Sequence, residues 1–205
     1  MFSEVLSLVP AGIINGLMFG AIYALVALGL TLIYGVLHII NFAHGAMLML
    51  AMYMAYFLFK IFNIDPYVAI VIVTPAGFVF GYTIYRWGIG KLSGGRDQNI
   101  LLITLGLSII LENSALVFFS GDQQTISLPY SYEAFDLGFL YLSYPKVISF
   151  VASLIICLLL WMLMTLTDLG KAIRAVAKQR EGARLVGIDV EHVFAVTFGI
   201  GVACL

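Results

Sequence analysis

Charge is scarce in this chain. Asp, Glu, Lys and Arg make up 10% of its 205 residues, against roughly 25% in an average soluble domain. From Val5 to Phe59 none of the four occurs. With 62% of the residues hydrophobic, no soluble fold could remove so much apolar surface from water. The chain reads as all-α, a polytopic helical membrane bundle. Segments of ~10 residues with alternating polarity are also missing, which excludes an outer-membrane barrel. Cysteine is rare: Cys157 and Cys204 both fall in apolar runs, which favours two buried small hydrophobes over a disulfide or a metal pair. The opening MFSEVLSLVP has no basic n-region, which argues against a cleaved signal peptide. There is no Gly-rich phosphate loop with Lys and Ser/Thr, since SGGRD does not fit, and no HExxH or CxxC pattern. No cofactor and no catalytic constellation is therefore expected, and any ATP must be bound by another chain.

What is present is a series of apolar runs long enough to cross a bilayer. The charge-free stretch of about 55 residues would be about 80 Å long as one helix, far beyond a ~30 Å hydrocarbon core. It must break, and its polar residues collect in GVLHIINFAHG, Gly35 to Gly45. Spans are expected near 11–34, 40–59, 67–86, 99–119 and 147–167, with a sixth run beginning near 192. Gly12, Gly16, Gly20 and Ala24 form a small-residue stripe on the first span, suited to close approach of another helix. Pro75 and Gly77 should kink the third. Segment 120–146 is acidic and rich in tyrosine, with room for a short interfacial helix.

The basic residues set the orientation. Loops 86–98 and 168–191 hold eight of the ten Lys and Arg residues, so both are expected on the cytoplasmic side and 120–146 on the external side. The N-terminus is then external, unless the 35–45 break is re-entrant. The sixth run has too few residues left to span, which makes the chain resemble the N-terminal part of a longer protein. The stretch Gly170 to Ile188, GKAIRAVAKQREGARLVGI, carries Lys171, Arg174, Lys178, Arg180 and Arg184. It reads as a short amphipathic helix with Ala172, Val176, Ala183 and Leu185 on one face. Nothing in its own loop buries that face, which points to a partner protein.

Several polar groups lie at membrane depth. His38, Asn41 and His44 sit where the first long run breaks. They can line a transport path or cap helix ends at a turn, and their chemistry fits both. Glu112, followed by Asn113, lies inside the fourth span. It can gate or line a path, or make a structural hydrogen bond. Thr104 to Ser108, TLGLS, is a small-residue patch whose plainest use is helix packing.

Residues 15–50, NGLMFGAIYALVALGLTLIYGVLHIINFAHGAMLML, resemble the N-terminal signature of LivH-type permeases, membrane subunits of branched-chain amino acid ABC importers. TLGLSIILEN, 104–113, resembles a second family segment, and DLGKAIRAVAKQREGARLVGIDVEHVFAVTFGIG, 168–201, a third. The resemblance covers nearly the whole chain and reads it as one permease domain, 1–205, with a coupling loop at 168–190. It implies about eight spans in all, about six of them in this chain. It implies a bacterial inner-membrane location, a LivM-like second permease, two ATP-binding cassette subunits and a periplasmic substrate-binding protein. It places Arg174, Ala175, Glu181, Ala183, Leu185, Gly187 and Ile188 at the ATPase contact. It also makes Asn41, Phe42, His44 and Gly45 candidates for the substrate path; Thr104, Gly106, Glu112 and Asn113 of the fourth span join them on their own chemistry.

Two departures stand out: Glu112 occupies a position where the family often has Gln, and the family's C-terminal spans are absent. Related permeases move urea or short amides, so that cargo is the first alternative. An ion-coupled secondary transporter using Glu112 is another, and a purely structural membrane subunit a third.

Overall fold

The computed structural model describes residues 2–92, 97–122, 124–126, 128, 134–136 and 141–205. Helix α1 runs from Phe2 to Leu37, α2 from His44 to Phe62 and α3 from Pro66 to Thr83. A π-helical stretch, Ile84–Ile89, carries α3 into the short α4, Gly90–Leu92. Then come α5, Asp97–Phe119, strands β1, Ala134–Asp136, and β2, Tyr141–Ser143, and α6, Tyr144–Leu166. The chain continues through α7, Asp168–Lys178, α8, Arg180–Leu185, and α9, Val190–Ala203. Among the described residues, five stretches are long and apolar enough to cross a membrane: Gly12–Leu37, His44–Phe62, Pro66–Leu92, Asn99–Phe119 and Tyr144–Leu166. The sixth apolar run becomes the 14-residue α9.

Most expected boundaries hold within a turn, and the exceptions have local causes. The first helix starts well before residue 11, because 2–9 contain neither glycine nor proline to stop it. The second starts at His44, not at 40. His38 takes a left-handed φ of 60°, and the Asn41 side chain accepts the Ala43 amide at 3.1 Å. That Asx turn uses donors a helix would need. Helix α3 begins with Asp65 as its N-cap, accepting the Tyr67 amide at 2.9 Å, and with Pro66 in its first turn. It continues through Pro75, and its rod extends to Leu92, past the expected end at 86. Lys91 therefore belongs to a helix, its ammonium 4.5 Å from the centre of the Trp87 ring. Loop residues 93–96 lie outside the described residues.

In segment 120–146 the described residues form an antiparallel ribbon, Phe135 facing Leu142, where an interfacial helix was expected. Helix α6 already starts at Tyr144, and Pro145 fits its first turn. Residues 123, 127, 129–133 and 137–140 lie outside the described residues.

The chain divides into two compact units, and α1 and α6 each pass from one to the other. The first unit comprises Met1–Ala27 and Ile126–Trp161. There the Lys146 ammonium donates to Asn15 Oδ1 at 3.0 Å and lies 5.1 Å from the centre of the Phe19 ring.

The second unit comprises Leu28–Thr125 and Met162–Leu205. Its core is α9, where ten residues, among them Val193, Thr197, Phe198 and Gly201, are buried. Helix α9 packs against α3 and the last turns of α1 at glycines. A Cβ on Gly29 would stand 2.5 Å from the Gly201 carbonyl oxygen, and one on Gly81 2.8 Å from Val202 Cγ2. A Cβ on Gly199 would stand 2.9 Å from the Phe78 carbonyl oxygen. These are the close helix crossings the chain uses. The predicted stripe is not among them: a Cβ on Gly12, Gly16 or Gly20 would meet nothing within 4 Å.

Candidate functional site

The break between α1 and α2 is built from Asn41 outward. Asn41 is 3% exposed. Its Oδ1 takes the Ala43 amide, its backbone carbonyl takes the His44 amide at 3.3 Å, and its Nδ2 points at Met47 Sδ, 4.0 Å away. Asn41 therefore holds the turn. His44 is buried as the first residue of α2, while Phe42 and Gly45 are exposed. From α5, the fully buried Thr104 braces the break: its Oγ1 accepts the Phe42 amide at 3.4 Å and donates to the Leu101 carbonyl at 3.0 Å. Two segments that sequence reading singled out separately, NFAHG and TLGLS, thus meet through Phe42 and Thr104. Gly106, two residues further along and on the opposite side of α5, is half-buried. An open recess of about 350 Å³ lies beside the break, lined by Leu30, Thr31, Tyr34 and Ile40. None of these four was singled out by polarity, because the wall is largely apolar.

Glu112 and Asn113 are not part of that junction. Both are exposed on the chain's own surface. Ser108 Oγ donates to Glu112 Oε1 at 2.8 Å, and Asn113 Nδ2 donates to the Ile109 carbonyl at 2.7 Å. Each bond spans one helical turn of α5, so both side chains find partners within their own helix.

The basic segment forms two helices where one was expected. Gln179, with φ −157° and ψ 103°, is extended and separates α7 from α8. Thr167 caps α7, its Oγ1 accepting the Gly170 amide at 3.0 Å. A Cβ at Gly170 would lie 2.5 Å from the Leu163 carbonyl oxygen, so the turn from α6 into α7 passes too close for any side chain there. Lys171 donates to Asp168 at 2.9 Å. That hydrogen bond first, and then the ammonium charge, holds the Asp168 carboxyl below the usual carboxylate range. The pair is fully solvated and adds little to stability.

The amphipathic face is covered by the chain itself, which corrects the expectation of an unpartnered stripe. Ile173, Val176 and Ala183 are buried, each at most 4% exposed. Leu185 points the other way, 89% exposed, and Val186 beside it is 76% exposed. Ala183 and Leu185 are two residues apart, about 200° around a helix, and cannot share a face. Gly187 has φ 86°. Its amide donates to the Arg184 carbonyl and the Ile188 amide to the Ala183 carbonyl, both at 3.0 Å. That is a Schellman cap, which explains Gly187-Ile188 without any partner.

Ala175 is half-buried, and its carbonyl takes the Gln179 amide. Glu181 and Arg184 are exposed. Arg174 donates through Nη1 to the Met164 carbonyl in the last turn of α6. Arg180 donates through Nη2 to the Leu37 carbonyl, the last of α1, at 2.6 Å. Of the seven residues expected at a partner contact, Leu185, Glu181 and the exposed edge of Arg174 remain open to one, whereas Ala183 does not. The exposed Val186 was missed, although the run Leu185-Val186 ahead of a glycine cap could have marked it.

The family described as branched-chain amino acid transport system / permease component matches residues 12–204. The high-affinity branched-chain amino acid transport system permease protein BraD of Pseudomonas aeruginosa is 32% identical, over 93% of this chain and 66% of its own length. The permease proteins LivH of Salmonella typhimurium and of Escherichia coli are each 28% identical, over 92% of this chain and 65% of theirs. The chain thus spans just under two thirds of the length of these relatives. No solved structure matches it. With a match extending over both the polar break and the basic helical pair, the chain belongs to the permease component family of branched-chain amino acid transport systems.

Proposed function

We propose that this chain is the membrane-spanning subunit of an ATP-driven importer of branched-chain amino acids in a bacterial inner membrane. The observation that carries the reading is the α7–α8 pair. One face is buried in the chain, and the opposite side presents Leu185 and Val186, 89% and 76% exposed, among Lys178, Glu181 and Arg184. Two adjacent exposed apolar side chains, set just ahead of a Schellman cap, suit a protein groove better than water. The family's description and the names of BraD and LivH supply the cargo class.

In this reading one of two ATP-binding subunits seats Leu185 and Val186, a LivM-like permease completes the pathway, and a periplasmic binding protein delivers substrate. This chain does no covalent chemistry, and ATP sits on the partners. Nucleotide-driven closure of the ATPases shifts α7–α8, and the spans rearrange around the polar break. Alternating access at a broken helix is a recurrent transporter solution. The test is Leu185→Asp in the assembled complex, which buries a charge at the contact. It is expected to release the ATP-binding subunits on purification and to abolish uptake. Full retention of both subunit binding and uptake would reject the docking face.

A further inference from the structure

The α7–α8 pair meets the rest of the chain through its buried apolar face, Ile173, Val176 and Ala183, and through directed bonds made by its cations. Lys178 and Arg184 are exposed, and Lys171 is engaged with Asp168 within α7. Arg174 holds the end of α6. Arg180 alone among these cations reaches the end of α1, across 143 residues of sequence.

We infer that Arg180 is a positioning residue, the strut through which displacement of α7–α8 reaches the polar break at 38–43; this rests on the importer reading above. Its Nη2 donates to the Leu37 carbonyl at 2.6 Å. That carbonyl is the last of α1, lacks a helical partner by position and lies at the negative end of the helix dipole. Leu37 is 2% exposed, and the next residue, His38, takes φ 60°. The guanidinium thus grips the last fixed point before the chain breaks. Behind it, the Arg180 Cζ lies 5.2 Å from the centre of the Phe194 ring on α9. Phe194 in turn stands edge-on to Tyr85, 4% exposed, at 6.2 Å between ring centres. Arg180 is the first residue of α8, and its guanidinium both lies over the Phe194 ring and holds the end of α1. Five residues beyond Leu37, Phe42 is braced to Thr104 on α5. A shift of α8 therefore pulls on the break itself. The planar fork matters: it can stack on a ring and donate in its own plane, which an ammonium cannot do.

The experiment uses the full permease with its partner subunits in proteoliposomes. It measures leucine taken up per ATP hydrolysed. It also measures the rate at which a water-soluble maleimide labels a cysteine placed at Ile40, in a background with the other cysteines removed, without nucleotide and with ATP plus vanadate. Arg180→Ala is expected to keep the ATP-binding subunits and their hydrolysis while uptake per ATP falls about tenfold, with Arg180→Lys in between. The nucleotide-dependent change in labelling at position 40 should vanish in Arg180→Ala. If Arg180→Ala does not assemble, Phe194→Leu, which removes the seat and leaves the donor, should lower uptake per ATP by about threefold. Unchanged uptake per ATP and unchanged labelling in the variant that assembles would overturn the strut. So would loss of the ATP-binding subunits from both Arg180→Lys and Phe194→Leu, which would make this a docking surface. A wild-type complex without ATP-dependent leucine uptake would overturn the importer reading before any substitution is made.

Discussion

At the scale of single residues, glycine separates what spacing reveals from what it hides. Gly12, Gly16 and Gly20 advertise themselves by a four-residue period, yet a side chain at any of them meets nothing within 4 Å. Gly29 and Gly201 carry no such signal, and their backbones nearly touch. Periodicity describes one helix at a time, and a crossing belongs to two helices far apart in sequence. Gly29→Ala should cost about 1–3 kcal/mol, because the atom it meets is a backbone carbonyl that cannot swing aside. Gly16→Ala should be neutral or slightly stabilising. Thermal unfolding of the two variants in detergent separates them, and equal midpoints would contradict the crossing. Gly187 was legible as part of a family pattern, but its physical reason was not: φ 86° ends α8. Gly187→Ala should cost about 1–2 kcal/mol and loosen Leu185 and Val186. Faster proteolysis between α8 and α9 would report it, and unchanged cleavage would count against the cap.

At the scale of elements, the break in the first apolar run was readable because a charge-free stretch of that length cannot be one span. Its location was readable because the polar side chains cluster there. The partner of the break was not. Thr104 looked like a packing residue, and only the fold brings its hydroxyl to the Phe42 amide. The basic segment was legible as amphipathic, but not as two helices, since nothing about Gln179 announces an extended residue. Nor could the pattern reveal that Ile173 and Val176 are buried within the chain, where α7 meets α9. Glu112 is the reverse case. It drew attention as an acid at membrane depth, and the structure gives it a partner one turn away in Ser108. Glu112→Gln preserves an acceptor for that hydroxyl. Transport and its pH dependence should be unchanged. A shifted pH profile would give Glu112 a protonation role.

For the whole molecule, two kinds of evidence converge. The described residues hold five helices long and apolar enough to span a membrane, a polar break braced from α5, and a basic helical pair tied by arginines to the ends of α1 and α6. The family match covers the same features in one alignment, residues 12–204. In the proposed function, partner ATPases power transport and this chain passes their movement to the break. The most direct test is uptake of labelled leucine by cells carrying the permease and its partner subunits, with ATP depleted in one arm and an ionophore added at intact ATP in the other. Unlabelled urea is the competitor. Uptake is expected to stop on ATP depletion, survive the ionophore and ignore urea. Uptake that persists without ATP and collapses with the ionophore would contradict it.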